Sequence, residues 1–232
     1  MKQNPPSNPI LSRLLAPLAT LTVGAMIVAL VISASFPPAR VQAEAAPSSQ
    51  PTKGMAVATL GGGCFWSMEA IYERVKGVHK AEPGYAGGKV ANPTYEQVGS
   101  GQTGHAESLN ITYDPKVISY GELTEILLTV LDPTTLNQQG ADVGTNYRSV
   151  IFYRTPAEKQ VAQETIKKIN AKGIWSAPIV TEVTPIDEFY IAEEYHRKYY
   201  NLNSTKPYCR AVIGPKLDKL RKSFGDKLKP NS

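Results

Sequence analysis

Cys64 lies in Gly61-Gly62-Gly63-Cys64-Phe65-Trp66, after the apolar run Val57 to Leu60 and ahead of a helix-like pattern. A helix N-terminus offers unpaired N–H groups and a partial positive charge. A thiol there is expected to ionise more easily, and the thiolate is the nucleophile. The chain's one other cysteine is Cys209, far downstream. A reactive sulfur with two large aromatics attached and one candidate resolving partner reads as redox chemistry on a small apolar group. Adjacent aromatics are ordinarily core, but helical neighbours point about 100° apart, so Phe65 and Trp66 do not both face fully inward. The other can line a pocket beside the thiol. The three glycines let a substrate approach the backbone closely. No Gly-Lys-Ser/Thr or GxGxxG follows them, which argues against nucleotide binding.

Glu107, in Gly104-His105-Ala106-Glu107, opens a run that then alternates. A carboxyl at the end of a sheet can enter a cleft, and partial burial raises its pKa until it donates a proton near neutral pH. The plain alternative is a surface charge at a strand end. Tyr85, Tyr95 and Tyr147 form a set of uncharged donors, although glycine-flanked tyrosines taken singly are packing corners. His196, in Glu193-Glu194-Tyr195-His196, would make a cysteine hydrolase if it served Cys64 as base. As a helical histidine among tyrosines it hydrogen-bonds locally instead. His79, His105 and His196 are scattered and lack zinc-type spacing, so no metal or organic cofactor is expected.

The elements that must position these groups follow from periodicity. Strands are expected over 55–60, 78–85, 107–113, 147–153 and 179–184, with Leu109, Ile111 and Tyr113 alternating in the third. Helices are expected over 64–74, 119–131, 156–172, 191–200 and 215–224. Long polar loops fill 86–105 and 134–146, and long ordered loops are commonly functional. Strands alternating with helices suggest an open α/β or α+β sandwich in which helices cover a mixed sheet.

Residues 1–43 read as a signal peptide or an N-terminal membrane anchor. Lys2 and Arg13 precede an uncharged stretch, Leu14 to Ala39, that is long enough to span a bilayer, and Val41-Gln42-Ala43 fits a cleavage rule. Charge ahead of the segment sends the remainder to the exported, periplasmic or extracytoplasmic side. Residues 44–54 read as a flexible linker, 55–226 as the catalytic domain and 227–232 as a disordered tail. Three of the 25 basic residues lie in the first segment with no acid, leaving 22 against 20 acidic ones, which gives no footing for nucleic acid. About 170 residues make one core without staples. In an oxidising compartment, a structural disulfide is still the default for a cysteine pair.

Gly-Cys-Phe-Trp, Gly-Tyr-Ala-Gly-Gly, Gly-His-Ala-Glu, Asp-Pro-Thr and Gly-Thr-Asn-Tyr-Arg-Ser occur in this order. Together they resemble the peptide-methionine (S)-S-oxide reductases, the type A methionine sulfoxide reductases, from about Met55 to about Phe224. The resemblance implies a catalytic Cys64 and a pocket of Phe65 and Trp66 for the substrate's S-methyl group. It implies that Glu107, Tyr85 and Tyr147 hydrogen-bond and protonate the sulfoxide oxygen, that Asp142 holds the substrate's backbone, and that Cys209 is the resolving cysteine. The further recycling cysteine of many members is missing, because Arg210 to Lys216 stand where their glycine-rich tail would be. With the alternation, it implies an α+β fold: a two-layer α/β sandwich whose mixed sheet has a ferredoxin-like core covered by helices. The implied reaction takes methionine (S)-sulfoxide, free or in oxidised proteins, to methionine through a Cys64 sulfenic acid. A monomer regenerated by thioredoxin or a thioredoxin-like dithiol is expected. Rival readings are a cysteine hydrolase, a non-catalytic exported module with a permanent Cys64–Cys209 disulfide, and a thiol peroxidase.

Overall fold

A computed structural model describes residues 53–230. The 1–43 leader or anchor, and all but the end of the 44–54 linker, lie outside the described residues. Among the described residues no helix is long and apolar enough to cross a membrane.

Alternation builds the centre of the sheet. Strands β1 (Ala56–Gly61) and β3 (Ala106–Tyr113) run antiparallel, with Ala58 opposite Ile111 and Leu60 opposite Leu109. All four side chains are fully buried, on the face that the helices cover. On the other face the Thr59 hydroxyl donates to Asn110 Oδ1, its partner across the strands. A period of two puts Glu107 on the helix side with Leu109 and Ile111, at the strand's first turn of the pleat. β2 (Val78–Ala86) flanks β3 and sets Tyr85 opposite Glu107.

Helix α1 (Phe65–Tyr72) links β1 to β2, and α3 (Tyr120–Val130) links β3 to β6 (Val150–Tyr153). The Ser119–Glu122 capping box fixes the start of α3, where Leu123, Ile126 and Leu127 go fully inward. The order β6-β1-β3-β2, with one helix in each crossover, is the expected ferredoxin-like core. β7 (Glu182–Pro185) joins β6 in parallel, making the sheet mixed, and β8 (Phe189–Ile191) pairs antiparallel with β2. Helix α4 (Pro156–Ala171) lies on α3, burying Ala162 and Ile169. Helix α6 (Gly214–Phe224) follows a π-helical turn, Cys209–Ile213, and buries Leu217 and Leu220.

Several expectations are corrected. The strand expected from 147 begins at Val150, because Thr145–Tyr147 form a 3-10 turn. The strand expected over 179–184 lies at Glu182–Pro185. The helix expected over 191–200 is instead the end of β8, a 3-10 turn (Glu194–His196) and a short helix, α5 (Tyr199–Asn203). Pairing of Tyr190 with Tyr85 draws this segment onto the sheet, and left-handed Lys198 (φ 52°) breaks the helical run. The loop 86–105 contains α2 (Tyr95–Gly99), and the loop 134–146 contains a two-strand ribbon, β4 (Gln138–Gln139) with β5 (Asp142–Val143).

Over its described residues, 227–230, the tail expected from 227 is packed instead. Leu228 is buried and bridges to Val75, while Lys227 O accepts from Lys76 N and Lys229 N donates to Arg74 O. Leu228→Ala should therefore destabilise the domain by about 2–4 kcal/mol, as for other buried leucines. Urea unfolding would read it, and an unchanged midpoint would make the tail a passive appendage.

Candidate active site

Cys64 is the residue before α1, and its carbonyl accepts the Ser67 N–H at 3.0 Å. The preceding glycines serve packing rather than substrate approach. A Cβ on Gly62 would meet Leu127 at 2.9 Å and Leu131 at 3.0 Å. Gly63 adopts φ +88°, and a Cβ there would sit 2.5 Å from Gln139. Gly63 N also donates to Tyr147 O at 3.1 Å, which ties the turn before Cys64 to the Gly144-Thr145-Asn146-Tyr147 turn.

Glu107 reaches the start of α1 from the sheet. Its Oε2 accepts the Phe65 N–H at 3.0 Å, one of the N–H groups that a helix leaves unpaired. Burial, opposed by that hydrogen bond and abetted by the charge of Asp142, pushes the Glu107 carboxyl up to about 8. Asn146, itself buried, lies beside this carboxyl and opposes the rise. The carboxyl expected to donate a proton therefore holds one near neutral pH.

The thiol behaves opposite to expectation. Cys64 is only 6 % exposed, and burial first, then the Glu107 carboxylate, push it above the ordinary thiol value. The Tyr208 hydroxyl and the Trp66 backbone beside it oppose the rise. A helix terminus contributes at most ~2 kcal/mol, about 1.5 pKa units, whereas full burial shifts a group by up to ~3–5 units. Burial wins.

Aromatic rings close the site. Phe65 is fully buried and Trp66 partly buried, the split expected of helical neighbours. Trp66 stacks on Tyr199 at 3.6 Å between centroids and 9° between planes, and meets Tyr208 edge-on at 5.9 Å. Its indole N–H donates to His196 Nδ1 at 3.0 Å. His196 is buried, which lowers its pKa, and it lies 4.9 Å from the Phe65 ring and 4.4 Å from the Tyr95 ring. With Nδ1 accepting, the neutral ring carries its proton on Nε2. His196 thus orients Trp66 and is committed away from the role of base in a hydrolase.

The tyrosine set divides. Tyr147 lies at the site, and burial, with the charges of Glu107, Cys64 and Asp142, raises it to about 12. Tyr85 is corrected: its ring is fully buried and its hydroxyl donates to Glu193 Oε2 at 2.8 Å. Tyr95 is the tyrosine that joins Tyr147: its ring stacks on Phe65 at 6.3 Å in the Cys64 cluster, where burial and then the charges of Glu107, Tyr147 and Cys64 raise its pKa. Asn92-Pro93-Thr94 and Gln97 carried the signal for it. Thr94 and Gln97 form a capping box that starts a helix at Tyr95. Tyr208 was missed altogether. It sits between Cys64 and Asp142, donating to Asp142 Oδ2 at 2.9 Å.

Cys209 is not brought to Cys64. Both thiols are free, and Cys209 is fully buried in the main core beneath the helices while Cys64 belongs to the Phe65–Tyr85 cluster. Among the described residues, no group of three or more His, Cys, Asp or Glu is placed to hold a metal ion.

The arrangement holds a proton donor, two phenols and an aromatic cup around one sulfur nucleophile, which suits removal of oxygen from a sulfoxide bearing a methyl group. Comparison with known proteins gives the same direction. Residues 56–228 match the family described as peptide methionine sulfoxide reductase. A peptide methionine sulfoxide reductase MsrA of Sulfolobus acidocaldarius is 53% identical over 173 residues, covering 75% of this chain and 97% of that one. One from Deinococcus radiodurans is 48% identical over 181 residues, covering 78% and 88%. The reduced form of Mxr1 from Saccharomyces cerevisiae superimposes with a TM-score of 0.62 at 34% identity, covering 69% of this chain and 92% of that one.

Alkylation tests the electrostatics of the thiol. In a Cys209→Ser background, Glu107→Gln should speed iodoacetamide modification of Cys64 at pH 8, about tenfold for each pKa unit that the carboxylate contributes. An equal rate would leave burial alone responsible.

Proposed function

This chain belongs to the peptide methionine sulfoxide reductase family, and we propose how its own residues perform the reaction. It is a peptide-methionine (S)-S-oxide reductase, an oxidoreductase that converts the sulfoxide to the thioether at the expense of thiols. The observation that carries the assignment of roles is the buried Glu107 carboxyl, which accepts the Phe65 N–H beside Cys64 at the start of α1.

The substrate's methyl group sits against Phe65 and Trp66, whose plane is held by Tyr199 and His196. Its oxygen, which bears partial negative charge, receives hydrogen bonds from Tyr95 and Tyr147 and the proton of Glu107. Phenols raised in pKa stay neutral, so they donate without forming an ion pair with the oxygen. Protonation makes the sulfur more electrophilic, and the Cys64 sulfur attacks it as the thiol proton restores Glu107. The oxygen leaves with Cys64 as a sulfenic acid: methionine sulfur is reduced by two electrons and the cysteine oxidised by two. Asp142, which accepts from the Tyr208 hydroxyl, holds the substrate's backbone.

Cys209 condenses with the sulfenic acid, releasing water and forming a disulfide. Its sulfur must first leave the main core, and the turn that carries Tyr208 out of the site carries Cys209 in. A thioredoxin-like dithiol then reduces the disulfide. The cationic, uncharged-cored segment 1–43 serves as leader or anchor and places a monomeric enzyme on the exported side, where it repairs oxidised proteins.

Cys64→Ser should abolish methionine formation, and Cys209→Ser should keep one stoichiometric turnover, read by quenched-flow with the separated epimers. Tyr95→Phe should cost about 10²-fold or more, as for an oxyanion-type donor, and Tyr85→Phe much less. Glu107 holds its proton below about 8 and loses it above, so the single-turnover rate should fall as pH rises through that value. A rate that kept rising there would remove Glu107 as the acid.

A further inference from the structure

We propose that Glu193, outside the reacting groups, is the positioning residue that sets where Tyr95 stands in the site. The inference rests on Tyr95 donating to the sulfoxide oxygen, as proposed above. Both carboxylate oxygens are used. Oε1 accepts the Tyr95 backbone N–H at 2.9 Å, and Oε2 accepts the Tyr85 hydroxyl at 2.8 Å.

These two contacts join the sheet to a loop. Tyr95 is the first residue of α2, a five-residue helix within the long connection between β2 and β3. So short a helix has little stability of its own. Its capping box pairs Thr94 with Gln97 and leaves the Tyr95 N–H, an orphan of the first turn, to another acceptor. Glu193 is that acceptor.

Glu193 is itself fixed from the sheet. Its neighbour Ala192 donates from N to Pro83 O of β2 at 2.9 Å. Tyr85, fully buried on the same strand, stands directly opposite Glu107 on β3. A continuous set of contacts therefore runs from the rung that carries the proton donor, through Tyr85 and Glu193, to the backbone of Tyr95. The turn that follows Glu193 adds a second hold, setting His196 against the Tyr95 ring at 4.4 Å. Backbone and ring of Tyr95 are thus registered to Glu107 from one turn. Tyr85, which resembles a catalytic tyrosine in the sequence, acts two contacts away from the chemistry.

A double-mutant cycle on kcat/KM with methionine (S)-sulfoxide tests this. Misplacing a catalytic group by about 1 Å costs up to ~10²-fold, so Glu193→Ala should lower kcat/KM by about 10- to 100-fold. In a Tyr95→Phe background the same change should cost under about threefold, because nothing remains to position. Glu193→Gln keeps an acceptor for the Tyr95 N–H and should recover most of the loss. Tyr85→Phe removes only one contact and serves where Glu193→Ala does not fold, giving a smaller loss with the same non-additivity. Equal fold-losses with and without the Tyr95 hydroxyl would overturn the inference alone. A fully active Tyr95→Phe enzyme would overturn the catalytic reading and this inference with it.

Discussion

The hydrogen bond from Phe65 N to Glu107 Oε2 joins the two halves of the active site. It fastens the start of α1, and so Cys64, to the start of β3. A carboxylate at a helix N-terminus is ordinarily favoured as the anion. Here Glu107 is 1 % exposed, and the cost of charge in so dry a place outweighs both the dipole and the N–H. One group therefore holds the helix and stores a proton. The thiol beside it is governed by the same burial and by the same carboxylate. Two groups so close in a dry volume do not both ionise, and their titrations belong to the pair. Near neutral pH both the carboxyl and the thiol therefore keep their protons.

Around that bond the walls of the site come from separate pieces of chain, each anchored to the sheet by a few polar contacts. The Thr145–Tyr147 turn is held by Gly63 N and by Arg148, whose guanidinium donates to Thr145 O at 2.9 Å and Gly104 O at 3.1 Å. The loop before β3 is held by His105, which accepts from Gly88 N at 3.1 Å and contacts Val90 O at 2.8 Å. Loops can carry catalytic groups with accuracy only when such contacts remove their freedom. Histidine in the Gly-His-Ala-Glu motif is thus architectural, while the glutamate two residues later reaches the start of α1 beside Cys64.

The second cysteine shows how one helical step separates two roles. Tyr208 reaches Cys64 and Asp142, and Cys209, the next residue, turns into the main core. The π-helical turn Cys209–Ile213 carries one residue more per turn than the α-helix that follows, and such turns concentrate at functional places. The structure describes the reduced arrangement, with both sulfurs free.

Much of this was legible in the sequence. Periods of two and 3.6 mark the strands and helices of the core, because burial of one face imposes them wherever a sheet meets a helix layer. Motif order assigned Cys64, Phe65, Trp66, Glu107 and Tyr147, all of which the fold gathers within one cluster of contacts. The choice between Tyr85 and Tyr95 was not legible, since both lie in glycine-bearing segments and differ only in where the hydroxyl ends. Nor was the state of the thiol. The local sequence supplies the helix terminus that would ionise Cys64, but only packing supplies the burial and the facing carboxylate that keep its proton on. Short-range pattern fixes elements and candidate chemistry, whereas desolvation and long-range partners arise between residues distant in the chain, and those alone decided which groups act.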